Sequence, residues 1–324
     1  MSKALICGIS GQDGSYLAKF LIDKGYEVCG TSRDAQVASF ANLERLGIRK
    51  QVRLLSMAQS DFRSVLNTLA RSNPDEIYFL SGQSSVGLSF DQPAESIESV
   101  AYGALNLLEA VRFLELPVRI YHASSSECFG DVTRGERASE LTPFRPRSPY
   151  GVAKASAHWL IANYREAYGL YCCNGILFNH ESPLRSARFV TSKIVAAACR
   201  IASGSEERLS LGRMDISRDW GWAPDYVEAM WLMLQQNAPD DYVIATGKSS
   251  TLESFVANAF GQVGLDWQSH VDINSSLFRP TEISHSVGNP DKAIRGLGWE
   301  TKVSFPELIA NLVQAQQAVL TEEL

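Results

Sequence analysis

A short apolar run, Ala4–Cys7, leads straight into Gly8-Ile-Ser-Gly11-Gln-Asp-Gly14. A helical pattern follows, with Leu17, Phe20 and Leu21 at its spacing and Gly25 as its stop. No other feature of the chain restricts its fold as strongly. Glycines in a strand-to-helix turn permit the tight bend, let backbone N–H groups approach a pyrophosphate, and allow close helix–strand packing. The helix N-terminus then faces the phosphates. Any glycine-rich turn can give this string, but its place between the first strand and the first helix favours a dinucleotide site over a plain βα turn. The candidate cofactor-binding residues here are Gly8, Gly11, Gln12, Asp13 and Gly14.

The same alternation continues. Glu27–Gly30, Val52–Leu55, Glu76–Leu80 and Arg119–Ala123 read as further strands. Asn42–Leu46, Phe62–Arg71 and an amphipathic stretch at Ala101–Leu114 read as the helices between them. A long helix runs from Ser148 to about Tyr168, followed by a strand at Gly175–Phe178. Such repetition predicts an α/β chain with a Rossmann-type, doubly wound parallel sheet. Beyond Asn179, Pro, Arg and polar residues interleave with short helices such as Val190–Ala202 and Leu252–Val263. The expected organisation is therefore a cofactor domain over 1–174, with a returning segment at about 219–247. A smaller, mostly C-terminal substrate-binding lobe takes 175–218 and 248–324.

At 324 residues the chain can bury a large core without disulfides or a structural metal. Thirty basic against 36 acidic residues leave a net charge of −6, which argues against a nucleic-acid coat or a basic membrane-surface protein. The N-terminal apolar run is too short for a signal peptide, and no run approaches the roughly 18 apolar residues of a membrane span. The six cysteines show no metal-binding spacing and read as reduced thiols of a cytoplasmic protein. No metal is expected.

The end of the second strand bears on the choice between NAD and NADP. It reads Gly30-Thr31-Ser32-Arg33-Asp34, with hydroxyls and a guanidinium where a 2′-phosphate would sit and the carboxylate one step beyond. NADP is favoured, the other reading being that Arg33 is a solvated surface residue. Tyr150-Gly-Val-Ala-Lys154 puts a phenol and an ammonium on one helix face at i, i+4. The lysine charge, beside an oxidised nicotinamide, is expected to lower the tyrosine pKa so that the phenolate can take a proton from a sugar hydroxyl. Tyr150 and Lys154 thus face both cofactor and substrate. Upstream, Ala123-Ser124-Ser125-Ser126-Glu127 closes the fifth strand, at the sheet end where such folds place ligands. Ser125 is placed to hydrogen-bond the reacting oxygen, and Glu127 to act as a second acid/base.

These residues together resemble the extended short-chain dehydrogenase/reductase superfamily. Further segments narrow the resemblance to the GDP-mannose 4,6-dehydratase family: Thr142-Pro-Phe-Arg-Pro-Arg-Ser-Pro-Tyr150, Asn163-Tyr-Arg-Glu-Ala-Tyr-Gly169, Asn174-Gly-Ile-Leu-Phe-Asn-His-Glu-Ser-Pro183, Arg218-Asp-Trp-Gly221 and Phe278-Arg-Pro280. The similarity runs from about residue 3 to 315. It implies oxidation of a GDP-hexose at C4, loss of water across C5 and C6, and return of the hydride to C6. It assigns Ser125, Glu127, Tyr150 and Lys154 to catalysis. Ser85, Asn179, Val190, Lys193, Leu211, Arg218, Arg279 and Glu282 are assigned to the nucleotide sugar. Ordinary surface charge is the competing reading of Lys193 and Arg218. The resemblance also implies a homodimer through the Ala101–Leu114 and Ser148–Tyr168 helices, or a homotetramer.

The chain departs from the family pattern at several positions. Ser125-Ser126-Glu127 stands where Thr-Ser-Glu is usual, keeping the hydroxyl without the methyl that fixes its rotamer. Ser56-Met57-Ala58-Gln59 replaces a Gly-Asp-Leu whose Asp contacts adenine. Leu80-Ser-Gly-Gln-Ser-Ser85 replaces Leu-Ala-Ala-Gln-Ser-His, and an arginine pair is reduced to Arg33. Ser192, Arg188 and Arg213 also differ from the family residues near the sugar-nucleotide site. The alternatives are a dehydratase for another GDP-sugar, a reductase or epimerase acting on a GDP-4-keto-6-deoxy sugar, and an NADP-sensing regulatory protein without turnover. Glu127 beside Ser125 favours the dehydratase, because only elimination needs an acid/base in addition to the tyrosine.

Overall fold

The structure, a computed structural model, describes residues 1–322. Six apolar runs form strands β1 (Lys3–Cys7), β2 (Glu27–Ser32), β3 (Arg53–Ser56), β4 (Glu76–Phe79), β5 (Arg119–Ser125) and β6 (Cys172–Leu177). A seventh strand, Tyr242–Ile244, pairs with β6 at the edge. All pairs in this sheet are parallel, and the order across it is β3, β2, β1, β4, β5, β6, then Tyr242–Ile244. The order reverses between β1 and β4, so the crevice for a ligand opens at the carboxyl end of β1.

Alternation along β1 shows why the sheet carries helices on both faces. Ala4 and Ile6 point into one core with Leu17, Leu21, Val227 and Met230, from the Gln12–Asp23 and Ala223–Leu234 helices. Leu5 and Cys7 point into the other with Leu69, Leu107, Val111, Ala157 and Ile161, from the Phe62–Ser72, Gly103–Phe113 and Pro149–Tyr168 helices. Side chains alternate across a strand, so a strand buried on both faces reads as an unbroken apolar run. A third core joins the Val190–Ala202, Leu252–Gln262 and Phe305–Glu322 helices around Trp220, Phe255 and Leu308. Between these segments the chain returns to the sheet, and Ala293, Leu297 and Trp299 pack back into the first core.

Several element boundaries differ from the sequence expectation. β5 runs on to Ser125 and β6 begins at Cys172, because buried serines and cysteines complete ladders whose apolar residues alone had marked them. The expected helix at Ala101 starts earlier: a π-helical segment, Ile97–Tyr102, leads into Gly103–Phe113. Its wider turn brings Ser99 to the loops after β3 and β4. The Ser99 carbonyl accepts from Gln59 Nε2 at 3.0 Å and its hydroxyl accepts from Gln83 N at 3.1 Å. No described helix is long and apolar enough to cross a membrane. Among the described residues, no group of three or more His, Cys, Asp or Glu is arranged to hold a metal ion.

Candidate active site

The glycine turn is built for close approach. Gly8 has φ +87°, a region open to glycine and strained for other residues, and a Cβ there would sit 3.0 Å from Ser81 Cα. A Cβ on Gly14 would lie 2.5 Å from the Gly8 carbonyl oxygen. The helix Gln12–Asp23 then begins at Gly11 with no side chain capping it, so its first N–H groups remain available to an anion. These features fit a dinucleotide diphosphate held by Gly11, Gln12, Asp13 and Gly14 through the backbone. The side chains of Gln12 and Asp13 turn elsewhere. Gln12 Nε2 donates to His180 O at 3.1 Å and to Asp13 Oδ1 at 2.9 Å, and Ser182 Oγ donates to Gln12 Oε1 at 2.7 Å. They tie the turn to the segment that follows β6.

Arg33 stands at the end of β2, exposed over 79% of its side chain, and pairs with Glu95 at 2.9 Å. It lies outside the cleft described next.

A cavity of about 410 Å³ opens at the carboxyl ends of the strands. Ser125 and Glu127 reach it from the end of β5 and the short turn after it, where Ser125 Oγ accepts from Glu127 N at 3.2 Å. Tyr150 reaches it from the first turn of the Pro149–Tyr168 helix. Proline at the first helical position and the Ser148 hydroxyl, accepting from Gly151 N at 3.0 Å, fix that start. Lys154, one turn on, is buried and donates to the Ala123 carbonyl at 2.7 Å, with its nitrogen 5.8 Å from the Tyr150 ring centre. The four catalytic candidates therefore line one cavity.

Electrostatics differ from the sequence expectation at the tyrosine. Burial raises the Tyr150 phenol well above its ordinary value, opposed by hydrogen bonding to Ser125, so the protein alone does not bring it toward neutrality. Burial also pulls Lys154 down, to about 8. Glu127, half-buried, is raised by desolvation while Arg218 and Arg279 oppose the shift.

The same cavity is lined by every residue assigned to the nucleotide sugar: Ser85, Asn179, Val190, Lys193, Leu211, Arg218, Arg279 and Glu282. Ser85 also caps the Val86–Asp91 helix. Arg218 is only 5% exposed, which rules out the surface-charge reading for it. It donates to Glu282 Oε1 at 2.8 Å and to the Ile283 carbonyl at 2.7 Å, and Arg279 shares the same Glu282 oxygen at 3.2 Å. The neighbouring Asp219 anchors the chain between the short strands Ser217–Arg218 and Trp220–Trp222. It accepts from Thr246 N at 2.9 Å, Thr246 Oγ1 at 2.7 Å and Gly247 N at 3.0 Å.

Sequence reasoning missed two residues here. His180 pairs with Asp13 at 2.9 Å, and Arg185 lies over the Phe189 ring at 3.6 Å and beside Glu181 at 3.3 Å. Arg185 lines both this cavity and a second one beside it, which Gly11, Asn42 and Arg45 border. The histidine and glutamate of Asn179–Glu181, a separate short strand just past β6, were the available signal.

Known proteins bear on this geometry. The GDP-mannose 4,6 dehydratase family model matches residues 5–312. GDP-mannose 4,6 dehydratase 1 of Arabidopsis thaliana is 49% identical over 320 residues, covering 96% of this chain and 88% of its own length. The Homo sapiens GDP-mannose 4,6 dehydratase is 42% identical over 337 residues, covering 96% and 90%. Among solved structures, the Thermus thermophilus UDP-glucose 4-epimerase complex with NAD superposes with a TM-score of 0.86 at 26% identity, covering 97% of this chain and 99% of that one. RMD from Pseudomonas aeruginosa, complexed with NADPH, gives 0.81 at 20% identity, covering 98% and 100%, a likeness of fold. A match that spans both the sheet and the lobe, and so both walls of the cleft, leaves one assignment: the chain belongs to the GDP-mannose 4,6-dehydratase family.

Proposed function

We propose that the protein is a nucleotide-sugar 4,6-dehydratase, a hydro-lyase that converts GDP-mannose to GDP-4-keto-6-deoxy-mannose with no net redox change. The observation that carries this reading is Glu127. It stands in the same cavity as Tyr150, Ser125 and Lys154, with an upward-shifted carboxyl facing two arginines.

Tyr150 accepts the proton of the C4 hydroxyl, and Ser125 hydrogen-bonds the oxygen as it becomes a ketone. Lys154 supplies positive charge near the phenol. The ketone acidifies the neighbouring C5 proton, which Glu127 removes and then donates to the departing C6 hydroxyl. A raised carboxyl pKa suits a group that must both take and give a proton. A nicotinamide held at the glycine turn would supply the hydride acceptor at C4 and the donor at C6, and the proton that Tyr150 took from the C4 hydroxyl returns to C5 as C6 becomes a methyl group. Arg218 and Arg279 supply guanidinium forks that match diphosphate oxygens, with Glu282 orienting both. Lys193, Asn179, Ser85, Val190 and Leu211 complete the sugar-nucleotide wall. The cofactor is read as NADP, on the hydroxyls and Arg33 after β2.

Two coarser features complete the proposal. Tyr102, Val152 and Trp159 are exposed on the two helices expected to pair, which supports a homodimer. All six cysteines are unbridged and buried, which suits the cytoplasm.

The deciding experiment replaces Glu127 with Gln, which keeps shape and hydrogen-bonding reach but removes the proton acceptor. Mixed with GDP-mannose and, in parallel, NADP or NAD, the variant should accumulate reduced-cofactor absorbance. Formation of the 4-keto-6-deoxy product should fall by about two to four orders of magnitude. Product at near wild-type rate would return the protein to a reductase or epimerase reading.

A further inference from the structure

Asp219 is fully buried, and its carboxylate accepts four hydrogen bonds from two separate stretches of chain. Oδ1 takes Thr246 N at 2.9 Å and Thr246 Oγ1 at 2.7 Å, while Oδ2 takes Gly247 N at 3.0 Å and Gly288 N at 3.3 Å. An ionised carboxylate can receive this many donors, because each oxygen has two lone pairs; an amide of the same shape has only one oxygen. Burial pushes the carboxyl up to about 6 against the pull of these donors, so it is ionised at neutral pH. Gly288 reaches it as bare backbone: a Cβ there would come within 2.4 Å of Ala245 Cβ. Taking a carboxylate out of water is costly, and apolar packing of similar volume is often at least as stable, so this one is read for what its geometry holds.

What it holds is the backbone around Arg218. The guanidinium donates to Glu282 Oε1 at 2.8 Å and to the carbonyls of Ser217 at 3.0 Å and Ile283 at 2.7 Å. Its place in the cleft therefore depends on the register between Ser217–Arg218 and the 282–288 segment. Backbone bonds set that register around Ser217, whose N–H donates to Ser284 O at 2.8 Å and whose carbonyl accepts from Ser286 N at 3.1 Å. Two residues on, the Asp219 side chain carries the pairing forward to Gly288 and ties both stretches to the turn after Tyr242–Ile244. From this geometry we propose that Asp219 is a positioning residue for the nucleotide-sugar site. It keeps the Arg218 strand in register with the segment bearing Arg279 and Glu282, and so sets the guanidinium pair that grips a diphosphate. This rests on the diphosphate reading given above.

Asp225 supplies a built-in contrast. It too is a buried aspartate, but it accepts from Lys302 N at 2.9 Å and Val303 N at 3.4 Å and so ties the Ala223–Leu234 helix to a stretch outside the cleft.

The test reads two affinities of the full chain, GDP by calorimetry and NADPH by fluorescence, with folding checked by circular dichroism. Asp219→Asn keeps the shape but sets an NH2 group against two of the donors. It should weaken GDP by about 10- to 100-fold and leave NADPH within about threefold of wild type. In an Arg218→Met background the same replacement should cost GDP less than about threefold, because the group it positions is gone. Asp225→Asn should lower the Tm without separating the two affinities. Unchanged GDP affinity in Asp219→Asn, equal losses of GDP and NADPH, or a GDP loss as large in the Arg218→Met background as in wild type would each overturn the inference. Should Asp219→Asn fail to fold, Thr246→Val removes one donor and keeps the carboxylate. GDP weakened by at least about threefold with NADPH unchanged then supports the inference, and unchanged GDP overturns it. A wild-type protein that binds no GDP overturns the diphosphate reading itself.

Discussion

Tyr150 and Lys154 are one helical turn apart, and burial works against the charged form of each. The phenol is held neutral and the ammonium is brought near the point of losing its proton. The pair is thus costly to keep, and the cost has a pH signature. Lys154 titrates at about 8 in the folded protein against an ordinary 10.5. Between those values the unfolded chain binds more protons, so this residue makes stability rise with pH across that window. Below about 8 both states are charged and its burial cost is felt in full. Replacing Lys154 with Met removes the cost. In cofactor-free protein, the Tm advantage of Lys154→Met over wild type should be largest near neutral pH and shrink as pH rises from about 8 to 10.5, while turnover falls at least about 100-fold. Thermal melts across pH check this, and a difference that grows with pH contradicts it.

Among the elements, the glycine turn sets two effects against each other. Alanine is the better helix former, by about 1 kcal/mol over glycine. A Cβ at position 14, however, meets the backbone oxygen of Gly8 at 2.5 Å and Ile9 Cα at 2.7 Å, atoms that cannot rotate aside. Overpacking of this kind costs about 1–3 kcal/mol. Gly14→Ala should therefore lower the denaturation midpoint and weaken cofactor binding together, and a raised midpoint would show that the turn can relax. Strands were legible in the sequence where apolar side chains fill both faces, as in β1 and β4. The ends of β5 and β6 were not, because Ser125 is kept in place by its ladder partner Leu177, and Cys172 by its partner Ile120 together with burial in the core. The π-helical segment at Ile97–Tyr102 was illegible for a related reason: Gln59 and Gln83, which its Ser99 holds, lie in other loops. Ser125, Glu127, Tyr150 and Lys154 could be picked out because spacing along one strand end and one helix face brings them together. The His180–Asp13 pair joins residues 167 apart, and only the folded sheet places them side by side.

Across the whole molecule, the surface left open by packing suggests how copies associate. Val152 and Trp159 lie seven positions apart on one helix face, and Trp159 is 61% exposed. With Tyr102 on the adjacent helix they are exposed apolar side chains that a twofold partner can cover with its own copy. Trp159→Glu would place two like charges across such an interface. Light scattering at micromolar concentration should then report a dimer for wild type and a monomer for the variant, and a monomeric wild type would remove the proposed association. The cleft itself is woven. Asn179, Arg218 and Arg279 reach it from three stretches of chain, and the sheet's edge strand, Tyr242–Ile244, is threaded between the second and third. Substrate preference in this scaffold is therefore not a cassette. A single crossover in gene shuffling would graft half a wall onto a foreign half. A workable chimera must exchange the 179–218 and 250–290 stretches together and leave the Ala223–Ile244 return in its parent's sequence.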